Sequence, residues 1–96
     1  MDNLFSNNVR GHTLTTCLST RPDVWTICLR EINPATAFGK IVWIEDNLFS
    51  KESDPKGRLA RQAHDAVLAL LKKNASPEEA YSFMKAKQAE ILKTLK

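Results

Sequence analysis

Apolar and polar residues alternate along the first half of the chain and recur with helical spacing along the second, and the change falls between residues 50 and 56. The first half predicts three strands, at residues 12–18, 24–31 and 40–45. Each is rich in the β-branched, Thr and aromatic types that suit a pleated, half-buried surface. The connections, Ser19-Thr20-Arg21-Pro22-Asp23 and Asn33-Pro34-Ala35-Thr36-Ala37-Phe38-Gly39, hold turn residues and are short enough for hairpins. A three-stranded antiparallel meander follows.

Centring the hairpins on Ala35 and between Thr20 and Arg21 sets an expected register. Leu29 then opposes Ile41, Ile27 opposes Trp43 and Leu14, and Trp25 opposes Glu45 and Thr16. Because side chains alternate across a sheet, Leu14, Trp25, Ile27, Leu29, Ile41 and Trp43 form the expected core face. Thr13, Thr15, Cys17, Val24, Thr26, Cys28, Arg30, Lys40, Val42 and Ile44 form the outer face. In this register Cys28 opposes Thr13, and the two cysteines lie too far apart along the face for a disulfide.

The second half predicts two helices. The first spans about 55–73, with Ser53 or Asp54 as cap, Pro55 in the first turn and an apolar stripe of Leu59, Ala63, Ala66, Val67, Leu70 and Leu71. The second spans 77–94 and opens on Ser76-Pro77-Glu78-Glu79, a capping box with proline in the first turn. Its stripe runs through Ala80, Met84, Gln88, Ile91 and Leu95, widened by Phe83 and Leu92. About two residues join the helices, so they fold back on each other. The expected fold is α+β: a three-stranded antiparallel sheet followed by a two-helix hairpin packed on one sheet face, in a single domain over 1–96. Asp-Asn-Leu-Phe-Ser occurs twice, at 2–6 and 46–50. The expectation is one local turn made twice, with Asp capping and Leu-Phe inward.

Charge sharpens this picture. Residues 1–55 carry five basic and seven acidic side chains, a net −2; residues 56–96 carry nine basic and four acidic, a net +5. Such asymmetry points to an acidic partner for the helical half, or simply to lysines filling solvated helix faces. No apolar run reaches the length of a membrane helix, and the N-terminus lacks the basic start and apolar stretch of a secretory signal, so a cytoplasmic location (host-cell cytoplasm for a phage-encoded chain) is expected.

Catalytic patterns are not found. The three glycines stand far apart, so there is no phosphate-binding loop. His12, His64, Cys17 and Cys28 match no zinc spacing, and no cofactor is expected. A Cys–His nucleophilic pair would need His64 beside Cys17 or Cys28, whereas a histidine at the margin of an apolar stripe reads as a packing residue.

Two binding readings remain. The first is a small non-catalytic protein acting through protein–protein contact: an inhibitor, an adaptor or a homodimer module of the kind phages and mobile elements encode. Its contact residues would be Val24, Cys28, Val42 and Ile44, apolar residues on a sheet face that should be polar, or an unpaired strand edge. The second is nucleic-acid binding, with Thr13, Thr15, Thr26, Arg30 and Lys40 in a groove and Arg58, Arg61, Lys72 and Lys73 on phosphates. The order of three strands and then a helix resembles the arm-binding domains of phage integrases over roughly residues 12–73, on topology together with Asn33-Pro34-Ala35-Thr36 and Gly39-Lys40, with the second helix extra. That resemblance implies a sheet set into the major groove of DNA.

Overall fold

The computed structural model describes residues 4–20, 23–32 and 39–95. The expected turn residues Arg21 and Pro22, the 33–38 connection, and Asp2-Asn3 of the first pentapeptide lie outside them. The fold is α+β, with four strands rather than three: β1 (Leu4–Val9), β2 (His12–Thr20), β3 (Asp23–Glu31) and β4 (Lys40–Ser50), followed by α1 (Arg58–Lys72) and α2 (Pro77–Thr94). The strands form an antiparallel meander in the order β1-β2-β3-β4. The extra strand precedes the expected three, which takes the topology away from three strands and a helix.

β1 escapes the alternation rule because its sequence, Leu-Phe-Ser-Asn-Asn-Val, has a polar centre. It is held by a tight two-residue turn instead. Arg10 and Gly11 both take positive φ, 48° and 79°, which is the backbone twist that closes antiparallel strands best. The Arg10 guanidinium donates to the carbonyl of Lys72 at 3.2 Å, so the hairpin tip caps the carbonyl end of α1.

The sheet register differs from the expected one by two residues. Leu14 opposes Leu29, Thr16 opposes Ile27 and Leu18 opposes Trp25. Cys17 opposes Thr26 and Cys28 opposes Thr15, and both thiols are free. On the other side, Leu29 opposes Trp43, Ile27 opposes Glu45 and Trp25 opposes Phe49. On this side two irregularities in β4 also break the regular pairing. Three residues, Asp46, Asn47 and Leu48, stand opposite the single Thr26, and Val42 is the extra residue between the Leu29 and Arg30 pairs.

These bulges correct two expectations. Arg30 opposes Ile41, so Ile41 shares Arg30's outer face and is 45% exposed rather than in the core. Glu31 opposes Lys40, so Lys40 lies on the opposite face from Arg30 rather than beside it.

Both copies of Leu-Phe-Ser are extended strand, not a turn, one on each edge strand. Both place their Phe against Trp25: Phe5 stacks on it with centroids 5.9 Å apart, and Phe49 is its cross-strand partner. Leu48 is buried, whereas Leu4 is exposed.

The core lies between one sheet face and the two helices. It is built from Leu14, Trp25, Ile27 and Leu29 of the sheet, Leu48 and Phe49 of β4, Ala60, Ala63, Val67, Leu68 and Leu71 of α1, and Ala80, Met84 and Ile91 of α2. The buried stripe of α1 is centred nearer Ala60, His64 and Leu68 than expected, and Phe83 and Leu92 of α2 and Leu95 at its C-cap remain exposed.

α1 starts three residues later than the sequence suggests. Gly57 is its cap, at φ 73°, and a Cβ there would sit 2.6 Å from the Trp25 ring. Asp54 still serves the helix, its carboxylate accepting from the Ala60 amide at 2.8 Å, while its carbonyl accepts from the Trp25 indole at 2.8 Å. α2 has the expected bounds, and both hydrogen bonds of the Ser76–Glu79 capping box are formed. The Ser76 bonds hold the Glu79 carboxyl below the usual range.

Candidate functional site

The outer face of the sheet is not covered by either helix. Most of it is small: Thr13, Thr15 and Cys17 on β2 and Thr26 and Cys28 on β3 shield one another, and Cys28 is buried. Burial raises the pKa of the Cys28 thiol, with Arg30 opposing the shift, so the thiol stays protonated near neutrality. The threonine hydroxyls are engaged within the sheet. Thr13 Oγ1 donates to Asn8 Oδ1 at 2.8 Å, Thr15 Oγ1 meets Ser6 Oγ at 3.3 Å and Thr26 Oγ1 donates to the Cys17 carbonyl at 3.3 Å.

The exception is the β4 side of this face. Ile44 is 49% exposed, Ile41 45% and Val42 38%, with Ile32 at the end of β3 also exposed. These exposed β-branched residues lie outside the core cluster and form an apolar strip. Arg30, directly opposite Ile41, is the cation of this strip. The strip stands on a rigid base. Trp43 lies between Val42 and Ile44 in sequence, donates its indole N–H to the Pro77 carbonyl at 3.0 Å and packs edge-on against Tyr81 with centroids 5.4 Å apart. Two residues along, Glu45 Oε1 accepts from Lys85 Nζ at 2.6 Å, fastening β4 to α2 and raising the lysine's pKa.

The expected partner surface is therefore divided. Val42 and Ile44 are exposed together. Cys28 is beside Ile44 but buried, and Val24 is half-buried at the far end of β3, opposite Ser50. Ile41 and Ile32 join the surface without having been expected there. For Ile41 the missing signal is the Val42 bulge, which no feature of the local sequence marks.

The expected nucleic-acid set is divided further. Thr13, Thr15, Thr26 and Arg30 lie on the outer face, while Lys40 is on the other face. Arg58, Arg61, Lys72 and Lys73 belong to α1 or its end, on the helix side of the sheet. Arg61 pairs with Asp65 at 3.4 Å and lies 5.0 Å over the Phe5 ring.

His64 is a buried polar hub of the core rather than a margin residue. Its Nε2 is 2.8 Å from Asn7 Oδ1 and its Nδ1 is 2.7 Å from Thr16 Oγ1. An amide oxygen can only accept, so Nε2 carries the proton and Nδ1 accepts from the threonine. Burial lowers the ring's pKa, which keeps it neutral. His64 sits on the helix side of the sheet and both cysteines on the outer side, so no Cys–His pair is assembled. Among the described residues no group of three or more His, Cys, Asp or Glu side chains gathers around a point where a metal ion could bind. No helix among them is long and apolar enough to cross a membrane. No protein-family model, no curated protein and no solved structure matches this chain.

Proposed function

We propose that this chain is a small non-catalytic binding protein that acts through protein–protein contact, docking an apolar surface of another protein, or of a second copy, on the β4 strip. The observation that carries the reading is the set of exposed residues Ile41, Val42 and Ile44, of which Ile41 is on the outer face because of a bulge, and all three lie outside the chain's own core cluster. A bulge that turns an isoleucine from core to solvent costs burial that the fold could have used. Trp43, Tyr81 and the Glu45–Lys85 pair hold the strip in place, so little order has to be gained on binding.

Nucleic-acid binding receives less support. Of its expected groove contacts, Arg30 is the cation left on the outer face, and the α1 cations stand on the other side of the sheet. The two readings differ in their response to salt. Contacts to phosphates weaken steeply as salt rises, and apolar docking does not. The immobilised protein is expected to hold a stoichiometric protein partner through a high-salt wash and to lose it in the double variant Ile41→Ser/Ile44→Ser. Binding of duplex DNA that is released by salt and indifferent to that variant would overturn the reading.

A further inference from the structure

The two edges of the sheet are unlike each other. β4 carries two bulges and the charged residues Lys40, Glu45 and Asp46, devices that stop an edge from pairing with another chain. β1 has neither. Its six residues are in regular one-to-one register with β2, and none is charged or proline.

The hydrogen-bond directions of β1 follow from the rest of the sheet. The Asp23 carbonyl accepts from Lys51 at 2.9 Å, so the odd residues of β3 direct their backbone groups to β4 and its even residues direct theirs to β2. Ile32 agrees, its amide donating toward the β2 side, to the Gly11 carbonyl at 2.8 Å. By the registers, the odd residues of β2 then bond β3 and its even residues bond β1. Phe5, Asn7 and Val9 are their partners, and Leu4, Ser6 and Asn8 direct N–H and C=O to the open edge. Their side chains are exposed as well.

We infer that β1 pairs with β1 of a second copy, antiparallel about a two-fold axis at Ser6, joining two four-stranded sheets into one of eight strands. A two-fold axis normal to the sheet requires opposed residues to share a face, which restricts the sum of their numbers to even values. Any even sum opposes outward-bonding residues, and centring on Ser6 is the choice that pairs Leu4, Ser6 and Asn8 all at once: Ser6 meets Ser6 of the partner, and Leu4 meets Asn8 of the partner. Each such pair exchanges two backbone hydrogen bonds. A second copy fits this edge because an uncharged strand brings no like charges together when it meets itself. The contact is small and mostly polar, so it belongs to the weak, concentration-dependent class.

Light scattering on the full chain over a concentration series tests this. The apparent mass is expected to rise from the 10.8 kDa monomer toward twice that value as concentration goes from about 10 μM to about 1 mM. Ser6→Pro removes an edge-directed N–H that no strand of its own sheet uses, so the fold should tolerate it and the dimer should be lost. Ser6→Lys, which sets two ammonium groups face to face on the axis, gives the same loss and decides the matter if the proline variant fails to fold. The strip variant Ile41→Ser/Ile44→Ser should dimerise as the parent does. A parent that stays monomeric throughout, or a dimer that survives both Ser6 changes, overturns the inference. A dimer abolished by the strip variant alone also overturns it and assigns self-association to the β4 strip instead.

Discussion

His64 shows how one side chain can make the stability of a fold depend on pH. It is 1% exposed, accepts from Thr16 on one nitrogen and donates to Asn7 on the other, and thereby joins α1 to β2 and β1. Protonation would place a charge in the core and turn Nδ1 into a donor facing a hydroxyl that now donates to it. Its folded-state pKa lies below the ordinary 6.5, chiefly through burial. The unfolded chain therefore takes up the proton more readily, and acid favours unfolding. The stabilisation is complete above pH 6.5 and is lost as pH falls through the folded pKa. The unfolding midpoint is thus expected to be flat above neutrality and to fall on acidification before the carboxylates titrate. In His64→Gln, which keeps hydrogen-bonding capacity but not the titration, that early fall should be absent. An unchanged pH profile in the variant would show that another group governs it.

The elements differ in how clearly the sequence marks them, and the reason is where their determinants lie. α2 is legible to its bounds because its start is local: Ser76, Pro77 and Glu79 make the capping box from four consecutive residues. α1 is less so, since Gly57 caps it only because Trp25, distant in sequence, packs against that glycine. β1 is hidden because an edge strand needs little apolar alternation once its turn and its neighbour hold it. β4 is half-legible. Its pattern to Glu45 reads as strand, but Asp46-Asn47 reads as its end, whereas the chain continues through a bulge to Ser50. What permits that bulge is Gln88. Its Nε2 donates to the carbonyls of both Asn47 and Leu48 at 3.0 Å, taking the place of ladder bonds. In the sequence Gln88 is one polar residue on an apolar stripe; in the fold it is the partner of an element 40 residues away. Gln88→Leu should leave those carbonyls unpaired and cost about 2 kcal/mol, or roughly 10 °C in Tm by thermal denaturation. Gln62→Leu, a change at an exposed position of α1, should stay within about 0.5 kcal/mol.

At the scale of the whole molecule, the helices cover one face of the sheet and the chain leaves the other open. The sequence marks that open face as unusually apolar, and Val42 and Ile44 are legible as its exposed residues. Which further residues join them depends on register, and register depends on the bulges of β4, the one at Val42 above all. Ile41 moved from the expected core to the outer face for that reason, and Lys40 moved the other way. Exposed apolar side chains that serve a partner should contribute little to their own fold, and this separates a docking strip from an incompletely covered core. Ile41 and Ile44 are 45% and 49% exposed, so replacing both by serine removes only about half of what two fully buried isoleucines would contribute. Ile41→Ser/Ile44→Ser should therefore keep its unfolding free energy within about 2 kcal/mol of the parent by urea titration, about 1 kcal/mol per position, with an unchanged m-value. Ile27→Ser, at a fully buried position two residues from Leu29 on the core face, should cost several times more per position, about 4 kcal/mol. A loss of comparable size in the double variant would mean that the strip supports the sheet rather than a partner, and would remove the argument for docking there.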